Sequence, residues 1–351
     1  MRKLKHLFFT FCIVTLADTC AAQVSAAISS EASIPTPDTM KVDKKVNLAC
    51  DIETGECGPE EQSGIEEINL QKANKVKLIY YTDPICSACW AIEPELRKFK
   101  MSYGDFVDIE YRMGGLLPGW DGFADKANGI GKPSDVAHHW DEVGEMSGMS
   151  IDGDVWINNP LDSSFPSSIA FKAMQKQGGA ISLTYLRRIR EMVFLENVNI
   201  AKEENLIQAA ADVGADVDEF TEDLNDPITK LAFEQEMREC REMGVRGFPT
   251  FIFIGNDGKG YKISGTSGYE NYELALEKAY GKKVEAKTIT YNELQLLEKY
   301  DFLASQEIAV ALSQDLSTTE SNLKKLGEKG LVKEVPQKYG SFWRFVKGCS
   351  Y

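Results

Sequence analysis

The sequence predicts an α/β protein: an α/β domain split by an inserted α-helical block and followed by a small mixed C-terminal module. Three observations predict it. An apolar run at residues 76–81 leads through Thr82-Asp83-Pro84 into Cys86-Ser87-Ala88-Cys89, which opens a helical pattern. Residues 116–233 then carry helical periodicity broken by Gly and Pro around Gly119, Gly122 and Pro133 and again over residues 160–166. Strand, hairpin and helix signals resume over residues 234–281, as the second half of the interrupted domain would require.

At 351 residues the chain is long enough for about two cores, and 43% hydrophobic with 26% charged residues is ordinary globular composition. Its net charge of −15 argues against nucleic acid or anionic lipid as a partner, because both need clustered Lys and Arg.

Residues 1–22 read as a signal peptide: a basic start, an apolar stretch over 7–17, then Cys20-Ala21-Ala22 as a small-residue cleavage region. The apolar stretch is shorter than the ~20 residues a membrane span needs, so no stable span is expected. Cleavage would remove Cys12 and Cys20 and leave Cys50, Cys57, Cys86, Cys89, Cys240 and Cys349, an even set that suits an oxidising, periplasmic or otherwise exported setting. Residues 23–70 lack apolar periodicity and read as a linker. Within it, Thr54-Gly55 offers a turn that could bring Cys50 and Cys57 together, as a structural clip or as an accessory disulfide that exchanges with Cys86 and Cys89. Cys240 and Cys349 suit buried single thiols, with their pairing open.

Residues 71–115 form the first half of the α/β domain: a strand ending at Tyr81, a helix over 86–103 that Pro94 should kink, and a strand over 107–113 closed by Gly114-Gly115. Cys86 at a helix N-terminus gains thiolate character from unpaired N–H groups and the helix dipole, and Cys89 lies within disulfide reach. Cys86 is the expected nucleophile and Cys89 the resolving thiol. A zinc site is disfavoured, since no second ligand pair follows and His138 and His139 lack usable spacing, so no metal and no cofactor is expected.

The insertion, residues 116–233, predicts helices over 167–177, 181–195, 202–213 and from 216, with Met174, Met192 and Phe194 as core. Asp152 and Asp154 read as a solvated turn. A helix over 233–243 leads through Gly247-Phe248-Pro249-Thr250 into a strand at 251–254, a turn at Asn256-Asp257-Gly258, a strand at 260–263 and a helix over 269–280. Residues 286–351 predict three short helices and two strands, a pattern that resembles a winged helix-turn-helix. Its basic residues are offset by acidic ones, which favours a packing or protein-contact role over DNA binding.

Together these elements resemble a thioredoxin fold interrupted by a helical domain, the arrangement of the DsbA-like branch of the thioredoxin superfamily, over residues 75–280. The resemblance rests on the CxxC after a strand, Pro94, and Gly247-Phe248-Pro249-Thr250 before the next strand. It implies a cis peptide before Pro249, with Phe248 and Pro249 as the platform on which a substrate strand pairs. The segments Asp83 to Pro94, Gly114-Gly115-Leu116-Leu117 and Phe194-Leu195-Glu196 are also similar to FrnE-like proteins and to the SpxH/YjbH adapter group. Members of that group deliver a transcription regulator to a cytoplasmic protease.

Three positions depart from the DsbA pattern. Ser87 and Ala88 replace its Pro and His, and Tyr80 stands where many relatives carry a buried acid. Glu93 could serve as a proton acceptor, though a solvated helix glutamate is the simpler reading. The expectation is an exported thiol–disulfide oxidoreductase or isomerase acting on proteins with thiols or disulfides, recharged by a redox partner protein. The alternative is a non-catalytic adapter or chaperone that uses the insertion and the C-terminal module to hold a partner.

Overall fold

The computed structural model describes residues 48–50, 57–59, 75–126 and 128–348. Residues 1–69 and 70–351 form two separate units. In the first, β1 (Leu48–Cys50) pairs antiparallel with β2 (Cys57–Pro59), and Cys50 stands opposite Cys57 in the register. The signal-peptide segment and Cys349 lie outside the described residues.

In the second unit β3 (Val76–Thr82) is buried on both faces but for Lys77, as the apolar run requires. The chain then forms α1 (Ser87–Ala91), α2 (Glu93–Tyr103) and β4 (Val107–Met113). The single kinked helix expected over 86–103 is two helices. Pro94 has no N–H to donate into a helix interior, so the chain breaks at Ile92 and Pro94 occupies the first turn of α2, where no donor is needed.

The insertion holds α3 (Pro133–Ser147), α4 (Val155–Asn158), α5 (Phe165–Lys176), α6 (Gly179–Leu195), α7 (Glu203–Asp212) and α8 (Val217–Asn225). Helix α3 starts on Pro133, a residue that had read only as a break; proline also starts helices. The helix expected from residue 233 begins earlier, as α9 (Pro227–Glu242), capped by Asp226. Met174, Met192 and Phe194 are buried core.

Strands β5 (Thr250–Ile254) and β6 (Gly260–Ser264) form a hairpin whose turn places Gly258 at φ +77°, and α10 (Tyr269–Tyr280) follows. The sheet order is β4-β3-β5-β6, with β3 parallel to β4 and antiparallel to β5. The α1–α2 crossover enforces the parallel pair.

The C-terminal module comprises α11 (Glu293–Tyr300), β7 (Phe302–Ala304), α12 (Ser305–Leu312), α13 (Leu316–Glu328), β8 (Val332–Pro336) and β9 (Ser341–Phe345). The short β7 adds a third strand to the expected two, in the order β7-β9-β8. Leu297, Leu303, Ile308, Leu323 and Trp343 give it its own core. It also packs on the main body: Glu307, wholly buried, takes Arg97 of α2 at 2.8 Å and Arg187 of α6 at 2.9 Å. Lys338 reaches Asp141, Asp152 and Asp154 of the insertion at 2.9 to 3.1 Å. The expected turn at Asp152 and Asp154 is part-exposed, and one ammonium from a distant segment draws its carboxylates together.

Candidate functional site

Asp83-Pro84 ends β3 and turns the chain into α1, with Cys86 as its N-cap residue. The Cys86 N–H donates to the Asp83 carbonyl at 3.2 Å, and the Cys89 N–H donates to Cys86 Sγ at 3.1 Å. Cys86 and Cys89 form a disulfide. Both are buried, Cys86 at 4% exposure and Cys89 at 0%.

Tyr80 is buried beneath this turn, stacked on Phe251 with ring centroids 4.4 Å apart, and accepts a hydrogen bond from the Thr82 hydroxyl. Burial holds its hydroxyl well above the ordinary tyrosine range, so it stays neutral. The acid of this region is Asp83. Its carboxylate accepts from the Ile85 N–H (3.1 Å), the Leu116 N–H (2.8 Å) and the Ser164 hydroxyl (2.9 Å), tying the turn to the Gly-Gly-Leu-Leu loop and to α5. Burial pushes its pKa up to about 6, against those three bonds and the Arg190 charge.

Glu93 is not a solvated glutamate. It pairs at 2.7 Å with Arg190, which also donates to the Thr82 hydroxyl and the Asp83 carbonyl. Placing an arginine in the interior demands such partners, and this pairing leaves Glu93 engaged. Trp90 donates to the Ser150 carbonyl at 3.0 Å, stacks on Phe194 and Phe342, and carries the Arg187 guanidinium 4.4 Å over its ring. The helix after the CxxC is thus locked to the insertion and to the C-terminal module.

The Phe248–Pro249 bond is cis, and Pro249 is buried. The half-buried Phe248 ring lies against Gly114, where a Cβ would overlap the ring, so the Gly114-Gly115 turn and the Phe248-Pro249 segment meet in space. Between the α/β domain and α3 runs a groove of about 380 Å³, lined by Ile85, Cys86, Leu117, Trp120, Trp140 and Phe248 among others. It can take an apolar side chain beside the cysteine pair.

Cys86, Cys89, Phe248 and Pro249 are therefore brought into one neighbourhood. Cys240 is buried and unpaired. Among the described residues no group of three or more His, Cys, Asp or Glu could hold a metal ion, and no helix is long and apolar enough to cross a membrane. Sequence reasoning missed Asp83, Arg190, Arg187, Glu307 and Lys338. Only Asp83 carried a signal, its place between strand and CxxC, and that had read as a turn.

The family model described as Thioredoxin matches residues 80–274. The chain is 36% identical over 300 residues to the ClpXP adapter protein SpxH of Halalkalibacterium halodurans, spanning 85% of this chain and 97% of that protein. It is 30% identical to the protein of that name from Bacillus subtilis, over 78% and 91% of the two chains. The chain belongs to the thioredoxin family, among the SpxH adapters. A solved structure from Nitrosomonas europaea, put forward as a protein disulfide isomerase, superposes with a TM-score of 0.50 at 18% identity, covering 59% of this chain and 96% of that one, a likeness of fold alone.

The SpxH relatives overturn the expectation of an exported thiol–disulfide enzyme. The relatives that match over nearly their whole length are named as adapters of the ClpXP protease, a role in protein delivery rather than thiol exchange. The cysteine pair itself is bonded and nearly covered, with Cys86 on the wall of the apolar groove. Thiol-bearing substrates, a recharging redox partner and a periplasmic location fall with that expectation.

Proposed function

We propose that this protein is a non-catalytic thioredoxin-fold adapter that holds a client protein for degradation by a ClpXP protease, the client being a transcription regulator of the kind its group delivers. The observation that carries this reading is the 36% identity across 97% of an SpxH adapter, an alignment too long to be confined to residues 80–274. An adapter works through surfaces, and the apolar groove bounded by Phe248 is the surface assigned here to client contact. Phe248 and Pro249 serve as its floor. Cys86 lies on the groove wall, but the cysteine pair is dispensable in this reading. Cys50 and Cys57, opposite each other in the β1–β2 register, form a structural clip in this reading.

The test is reconstituted degradation. The full chain, added to ClpXP and the regulator, is expected to raise the degradation rate several-fold, and the double variant Cys86→Ser, Cys89→Ser should do the same. No acceleration by the unaltered chain would sink the adapter reading.

A further inference from the structure

A second cavity, of about 540 Å³, lies where α2, α6 and the C-terminal module meet. Seven Lys and Arg and four Asp and Glu line it, in a chain whose net charge is −15. Most of these charges are matched. Arg97 and Arg187 converge on Glu307, Arg188 holds Asp212 and Glu196, and Arg344 and Lys347 share Asp301. Counting Glu307 and Glu196, which pair from outside the lining, one cation is still in excess.

That excess falls on Lys100. Its ammonium contacts the Tyr111 hydroxyl and, among the described residues, forms no ion pair with a carboxylate. Burial draws its pKa down to about 8, with the Arg97 and Arg190 charges adding to the effect and Glu93 opposing it. A second polar group points the same way. Arg190, at 1% exposure, lines this cavity, and its Nε has no hydrogen-bond partner. A half-buried cation without a carboxylate, beside an arginine whose Nε lacks a partner, favours the arrival of an anion.

We propose that this cavity binds a small phosphate-bearing anion, which would supply the negative charge missing beside Lys100 and bridge α2, α6 and the C-terminal module. Phosphate suits the lining better than a lone carboxylate. Its several oxygens accept from guanidinium forks and from a point-charge ammonium together, and the cavity is within the size range of small-ligand sites.

The experiment is calorimetric titration of the full chain with inorganic phosphate, pyrophosphate and ATP in turn. Saturable one-site binding is expected for at least one of them, and which one binds separates a bare phosphate from a nucleotide. Lys100→Met should weaken it roughly tenfold, the worth of one charge-assisted hydrogen bond. Arg344→Gln, on an exposed side chain, should weaken it severalfold and carries the test if Lys100→Met does not fold. Lys283→Ala, exposed and outside the cavity, should change nothing. The proposal is overturned if none of the three anions saturates, or if Lys283→Ala weakens binding as much as the cavity variants do. Binding of a Glu-rich peptide with no response to any phosphate would overturn it in favour of an acidic peptide site.

Discussion

Asp83 under the Cys86–Cys89 turn and Glu307 at the junction with the C-terminal module are both 0% exposed, yet their acidities move in opposite directions. Burial raises Asp83 to about 6, because the groups that answer it are mostly dipoles, two N–H groups and a hydroxyl, and Arg190 beside it is directed at Glu93 and Thr82. Burial acts on Glu307 as well, but Arg187 and Arg97 bring whole charges to it and hold it at about 2. The comparison teaches that Glu307 is answered by whole opposite charges, whereas the turn answers Asp83 mostly with dipoles, which leave it a weaker acid. A docking module must be fixed; a groove wall needs shape.

The largest effect should come from breaking the ion cluster. Glu307→Gln leaves two arginines facing each other without their carboxylate and should cost about 3–5 kcal/mol in denaturant unfolding. A loss under 1 kcal/mol would mean that the module is held by its apolar contacts alone. Next comes the groove. Gly114→Ala drives a methyl into the Phe248 ring and should cost about 1–3 kcal/mol while lowering client capture, read by unfolding and by pull-down. Lys338→Ala frees three carboxylates to repel one another, but the site is partly solvated, so about 1 kcal/mol is expected, shrinking in high salt.

Unfolding free energy against pH sharpens the contrast. Glu307 has a depressed folded pKa, so its contribution is complete above the ordinary 4.5 and is lost as pH falls toward about 2. Asp83 has a raised one, so its contribution is complete below the ordinary 3.8 and is lost as pH rises through about 6. Glu307→Gln should flatten the acid limb, and Asp83→Asn the decline between those two values. Identical curves for Asp83→Asn and the unaltered chain would show that Asp83 is as acidic folded as unfolded. The smallest effect is expected from Cys86→Ser with Cys89→Ser, because the disulfide closes a loop of only three residues' separation and constrains little of the unfolded chain.

Much of the architecture was legible in order of appearance. The apolar run of β3, the CxxC at a helix start, the helical block and the helix over residues 269–280 follow from local periodicity and capping, which neighbouring residues decide. The break at Ile92 and the start of α3 were misread because proline ends one helix and begins another, and only the flanking packing chooses. The function was misread for a related reason: a CxxC spacing reports that two sulfurs can meet, not what the chain around them is used for.

The sequence by itself determined the α/β order, the interrupted thioredoxin pattern and the likeness to the adapter group, because these depend on periodicity and on motifs within a few residues of one another. Tertiary structure alone decided that Glu93 meets Arg190, that Arg97 and Arg187 meet Glu307, and that Lys338 gathers Asp141, Asp152 and Asp154. Those partners lie about a hundred or more residues apart, and nothing local to a charged residue tells whether folding will leave it in water or against its counter-charge.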